Sequence, residues 1–260
     1  MKPTDPDESR RASWRAVWPS LVIGAAILWA GIGSDIELSR VANAGGRIAE
    51  FLSRMFPPDL SIAREAVDAT LETLRIAILG TIGCILASAA LGFLAAESMT
   101  PRAINAPVKA MLALMRAIPL ILVAMLMVGA VGLGPLPGIL AIAFHATGML
   151  GKFYADAIEG VDRAPVAALE SAGATLLQRL RYAVWPQMAP DLLRDTVFRF
   201  ELNLRESLIL GVVGAGGVGF YIQTYVRSFQ YDKAATLTII VVLIVLLIEL
   251  ANTWLRRLSR

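Results

Sequence analysis

Arg199, Glu201, Asn203, Arg205 and Glu206 crowd into a stretch whose neighbours Phe198, Phe200, Leu202, Leu204 and Leu208 are all apolar. A charge at the bilayer centre costs about 2.5–3.5 kcal/mol on insertion scales, so such residues face protein or a water-filled path when their segment crosses a membrane. Glu201 and Arg205 are four apart and can pair along one helical face. Arg199, Asn203 and Glu206 follow i, i+4, i+7 spacing and share another face. Two chemistries are open. In one, Arg199, Asn203 and Arg205 line a translocation path, where guanidinium forks give an oxyanion bidentate, charge-assisted hydrogen bonds. In the other, Glu201 and Arg205 close on each other and only tie helices together. Arg116, near a kink expected at Pro119, either faces the path or snorkels to the membrane surface. His145 is either a hydrogen-bonded interior histidine or a proton carrier, and Lys152 reads as a snorkelling cation.

Other chemistries find no residues. No serine–histidine, di-aspartate or metal motif has a useful spacing, so no catalytic residue and no metal site is expected. One His and one Cys, His145 and Cys84, cannot build a zinc cage from His and Cys. The glycine run over residues 214–219 follows a membrane helix rather than a strand, which rules out a dinucleotide fingerprint. Gly148-Met149-Leu150-Gly151-Lys152 is too short for a phosphate loop, so the chain has no visible means of hydrolysing ATP.

These residues need membrane helices to position them. Apolar residues make up 57% of the 260-residue chain and charged residues 17%, and mean hydropathy is +0.64. Ordinary soluble domains run about 45–50% apolar and about 25% charged, so here the bilayer is part of the solvent. The net charge of +3 is scattered among hydrophobic runs, which excludes a nucleic-acid surface. A span needs about 20 mostly apolar residues. Six are expected: residues 18–32, 74–96, 108–132, 136–158, 192–213 and 234–255. The first should be retained rather than cleaved, because no small-residue cleavage pattern follows it.

Lys2, Arg10, Arg11 and Arg15 precede the first span, Arg102 and Lys109 follow the second, and Arg256, Arg257 and Arg260 follow the last. That distribution places both termini in the cytoplasm. The expected organisation is a cytoplasmic tail (1–16), a first transmembrane helix (17–33), an external loop with an amphipathic helix (34–69) and a five-span core (70–257). Leu38, Val41, Ile48, Phe51, Leu52 and Met55 supply the amphipathic stripe.

Between the fourth and fifth spans lies a cytoplasmic insertion, residues 159–190. Asp162 caps a helix with Pro165 in its first turn, Gly173 breaks it, and a second amphipathic helix carries Leu176, Leu177, Leu180 and Val184. Pro186 and Pro190 are expected to end that helix. The hairpin is either a docking knob for another protein or an ordinary interfacial element.

Gly173-Ala174 followed by Pro186 and Pro190 resembles the cytoplasmic EAA loop of ABC-type importer permeases. The permease subunits of phosphonate and phosphite importers are closer still. The motifs shared with them include Arg116-Ala117-Ile118-Pro119, Gly132-Leu133-Gly134-Pro135-Leu136-Pro137-Gly138, Arg199-Phe200-Glu201-Leu202-Asn203-Leu204-Arg205 and Phe229-Gln230-Tyr231-Asp232. The resemblance covers residues 70–257. It implies an all-α integral membrane protein of about six helices with the type I importer permease fold, multi-pass in the cytoplasmic (inner) membrane. It further implies a homodimer, a substrate-binding protein and two ABC subunits that bind the ATP and magnesium, leaving this chain without a cofactor. The implied cargo is phosphonate or a related phosphorus oxyanion such as phosphite. Ala167, Glu170, Gly173, Ala174, Pro186 and Pro190 would couple to the ATPase, and Gly216 and Gly217 would border the outward opening. Ala167 stands where the family carries a glutamate, with Glu170 one turn later, and Glu206 stands where a small residue is usual. The competing function is a proton-coupled secondary transporter of a small anion, using Glu249 or the carboxylates of the fifth span.

Overall fold

The computed structural model describes residues 6–34 and 43–258. Lys2, Leu38, Val41 and Arg260 lie outside the described residues, as do the side chains of Arg10, Arg11, Arg15, Glu249, Arg256 and Arg257. All elements among the described residues are helical. The chain divides into two compact units, Met1–Arg54 and Met55–Arg260.

The first unit holds α1 (Pro6–Gly33) and α2 (Ala44–Ser53). The apolar stretch Trp18–Ile32 of α1 leaves Ile27, Trp29 and Ile32 exposed, as a helix whose solvent is lipid would. The short α2 falls in the segment expected to carry an amphipathic helix, and Arg54 pairs with Glu50 at its end.

The second unit is built on α3 (Ala63–Ala95) and α6 (Pro135–Glu159). They run parallel. A Cβ on Gly80 would fall 2.7 Å from Ile142 Cγ2, one on Gly92 2.8 Å from Tyr154 Cβ, and the Glu97 amide donates to Glu159, so one register is kept over many turns. No hydrophobic force draws helices together inside lipid, so small residues that let backbones approach supply the packing. Buried Ala66, Ala69, Ala77, Ala141, Ala146 and Ala155 do the same along both helices.

Two parallel helices need a return crossing, which α4 (Arg102–Ala117) and α5 (Leu120–Val131) provide. They meet at a 90° corner rather than the kinked single span expected. The cause is Pro119, which drives Ile118 out of the helical region to φ −78°, ψ 123°. Next come α7 (Arg163–Ser171), α8 (Leu176–Arg179), a π turn (Leu180–Val184) and α9 (Trp185–Leu210).

Contrary to expectation, Pro186 and Pro190 end no helix. The chain stays helical across Leu176–Val213, with Pro186 in the first turn of α9 and Pro190 inside it. A proline ring lacks the N–H and crowds the preceding turn, and the wider π turn just before Pro186 takes up that misfit. α9 runs antiparallel to α3 and α6, tied by Asn203 to Thr81 and by Thr196 to Tyr154. After a glycine turn come α10 (Val218–Arg227) and α11 (Tyr231–Leu258).

The boundary expected at residue 70 falls inside α3, which starts at Ala63. Its first turns carry Arg64, Glu65, Asp68 and Glu72, which lower local hydropathy, while Ala66, Ala69, Thr70 and Thr73 keep a helical period of burial. Among the described residues three helices are long and apolar enough to cross a membrane: Leu60–Ala95, Pro135–Glu159 and Tyr231–Ile248. Two bent pairs raise the number to as many as five, beside the shorter Trp18–Ile32.

Candidate functional site

The hairpin leaving α6 is fixed by local hydrogen bonds. Asp162 caps α7 by accepting from the Ala164 amide at 2.9 Å, and Thr175 with Gln178 forms a capping box on α8. Between them Gly173 has φ +81°, and nothing lies within 4 Å of the place a Cβ would take. Its requirement is therefore conformational: the left-handed turn lets the Gly173 and Ala174 amides donate back to Glu170 and Leu169. Glu170 and Arg179 pair across that turn at 2.6 Å. Gln187 on α9 accepts from the Asp162 amide and donates to the Ala183 carbonyl, pinning the hairpin to α9. Ala167, Pro186 and Pro190 are exposed and Ala174 is half-buried.

The outcome is a braced knob with an apolar face. Leu176, Leu177, Tyr182 and Trp185 are 59–75% exposed, a cluster of large apolar side chains such as marks a protein-binding surface. At its root Lys109 of α4 bridges Glu97 (2.8 Å) and Glu159 (3.3 Å), joining the ends of α3, α4 and α6. The Lys109 hydrogen bond holds the Glu97 carboxyl below its ordinary value. Sequence reading took Lys109 only as a topology charge, because its two acceptors come from distant segments.

Deeper in the helices, a polar seam joins α3, α6 and α9. Arg199 is only 3% exposed; its guanidinium donates to Glu206 Oε2 at 2.7 Å and reaches the Met149 sulfur at 3.6 Å. Fully buried Asn203 donates to Thr81 at 2.9 Å. Four buried polar atoms find no partner among the described residues: Arg199 Nε, Asn203 Oδ1 and His145 Nδ1 on these helices, and Arg179 Nε in the hairpin. The face predicted to hold Arg199, Asn203 and Glu206 is thus the one turned inward. Glu206, unusual after Arg205, is the counter-charge of Arg199. On the other side of α9, Glu201 is half-buried and Arg205 exposed. Arg116 stands at the α4–α5 corner, 3.4 Å from the Gly148 carbonyl.

The opposite end, where α3 and α6 begin, is closed by glycines. Gly216 and Gly217 have φ +80° and +76°, and a Cβ on Gly217 would fall 2.6 Å from Thr73 Oγ1. The Gly217 amide donates to Glu72, and Val218 donates to Thr73 at 2.8 Å. A cleft of about 950 Å³ opens beside this turn, with Arg64, Glu65, Asp68, Glu72 and Arg75 on its wall. Glu72 and Thr73 escaped sequence reading because only the fold brings them to the glycines.

Helix pairing, glycine turn and braced hairpin together define a membrane transport subunit. Residues 88–260 match the family described as binding-protein-dependent transport system inner membrane component, and the chain belongs to that family. It is a multi-pass inner-membrane protein. The chain is similar to the phosphite transport system permease protein PtxC of Stutzerimonas stutzeri, 35% identical over 94% of this chain and 90% of that one. It is also similar to the phosphate-import permease protein PhnE of Mycolicibacterium smegmatis, 40% identical over 86% of this chain and 42% of that longer protein. The inward-facing methionine ABC transporter MetNI shares the fold, with a TM-score of 0.63 at 21% identity, covering 75% of this chain and 95% of the solved one.

Proposed function

We propose that this chain is the membrane-spanning subunit of an ATP-driven importer for phosphonate, phosphite or a related phosphorus oxyanion. It works as a homodimer, with both termini and the hairpin on the cytoplasmic side. Two ATPase subunits hold the ATP and magnesium and grip one hairpin each, and a substrate-binding protein delivers cargo to the glycine-turn end. The observation that carries this reading is the hairpin itself: an exposed apolar knob, braced by Glu170–Arg179 and Gln187, at the head of the same helix that carries Arg199. A push on Leu176 and Leu177 is therefore delivered to the seam through rigid helix rather than lost in a flexible loop.

Phosphite and phosphate are named for the relatives, and the seam offers matching chemistry. Arg199 Nε and Asn203 Oδ1 are a donor and an acceptor without partners among the described residues. A protonated oxyanion presents the complementary acceptor and donor. The site opens only when the helices move, because Arg199 is now buried.

Gly173→Trp tests the coupling role. A side chain at φ +81° strains the turn although its Cβ meets no neighbour, so the protein should insert into the membrane normally while uptake of the labelled oxyanion and co-purification of the ATPase subunit are lost. Wild-type uptake by this variant would sink the proposal.

A further inference from the structure

The seam is not the sole place where charged side chains meet between these helices. At the hairpin end of the helices, a separate hollow of about 250 Å³ sits among α3, α4 and α6. Its floor is small and apolar, formed by buried Ala95, Leu112 and Ala155. Its wall is charged: three cations, Lys109, Arg116 and Lys152, and one carboxylate, Asp156, line it. Lys152 is held by Asp156 at 2.5 Å, and Lys109 leans to Glu97 and Glu159. Arg116 has no carboxylate partner among the described residues; its guanidinium donates a long hydrogen bond, 3.4 Å, to the Gly148 carbonyl. An arginine is charged at any physiological pH, so the Arg116 guanidinium on the wall of the hollow has donor capacity beyond that one bond.

We propose that this hollow is a binding site for a phosphate-type oxyanion, with Arg116 as the forked donor and Lys152 and Lys109 as flanking point charges. Such an oxyanion has two sources, the headgroup of an anionic lipid or a free phosphorus oxyanion in solution. The volume suits a group of a few heavy atoms rather than a large ligand, and basic pockets between membrane helices are where phosphate headgroups lodge. The site goes beyond the transport reading and does not depend on it. It has one mechanical consequence. Lys109 serves both the hollow and the clasp on Glu159, three residues before the hairpin cap Asp162, so an anion in the hollow competes with the hairpin root for the same ammonium.

The test uses the full chain, purified with the subunits it assembles with and reconstituted in nanodiscs. In the lipid arm, native mass spectrometry compares retention of phosphatidylglycerol and cardiolipin with phosphatidylcholine. In the free-anion arm, inorganic phosphate and methylphosphonate are titrated into phosphatidylcholine-only discs. Binding in either arm should weaken about tenfold in Arg116→Gln, the loss of one charge-assisted fork. Lys152→Gln should weaken it less, Arg116→Lys should recover part of it, and Arg194→Gln, an exposed arginine elsewhere, should leave it unchanged. A signal confined to one arm names the source. Because Arg116 and Lys152 are exposed, these variants should remain folded, and monodispersity on gel filtration checks that they do. Equal binding by wild type, Arg116→Gln and Lys152→Gln in both arms, or binding in neither, overturns the site.

Discussion

At the hairpin, apolar side chains face outward and a half-buried arginine pairs with an exposed glutamate; in the seam, carried by the same continuous helix, a guanidinium is buried and its counter-charge half-buried. Glu170 is 65% exposed and Arg179 23%, so solvent reaches the pair through the glutamate and it is worth about 0–1 kcal/mol. Arg199 and Glu206 lie 2.7 Å apart with side chains 3% and 24% exposed, where losing one partner strands the other. The knob can therefore be regripped by a partner at little cost, whereas the seam resists rearrangement unless something replaces Glu206 as the counter-charge of Arg199. That contrast fits a lever at one end and a gated site at the other.

The sharpest way to break the contrast is Arg199→Met. It should destabilise the protein by about 3–5 kcal/mol by leaving Glu206 partly buried without its cation. Adding Glu206→Gln should restore most of the loss, measured by thermal inactivation in detergent. If the single variant proves as stable as wild type, Arg199 is not a closed internal charge. Glu170→Ala should cost under about 1 kcal/mol in the same assay, yet loosen the hairpin. Faster amide exchange over residues 170–179 would show it, and unchanged exchange would mean that the capping box alone braces the turn.

The smallest effect concerns Glu97. Its folded value lies below the ordinary 4.5 because Lys109 bonds it. Its contribution is therefore complete above the unfolded value and falls away as pH drops through the folded one. Hydrogen exchange at the Glu97–Lys109 clasp should be flat from neutral pH to about 5 after correction for intrinsic rates and rise below 4.5, and Glu97→Gln should abolish the rise.

Much of the seam was legible in advance. The i, i+4, i+7 spacing of Arg199, Asn203 and Glu206 placed them on one face, because helical period is a property of the chain itself. Gly173 was legible as the break between two helices, and the structure adds that it turns there at φ +81°. The ion pair of Arg199 with Glu206 along that face was not expected, because burial of one face is decided by what packs on it. The continuous helix through Pro186 was missed as well, since a π turn depends on how the following helix is anchored.

The sequence by itself determined that this chain dissolves in a bilayer, where its helical faces lie, and that a hairpin interrupts them; these are matters of composition and local period. Only the tertiary structure decided that α3 and α6 run parallel and that Lys109, Glu97 and Glu159 meet. Those contacts join residues tens of positions apart, and small-residue packing between helices, invisible to any local window, sets their register.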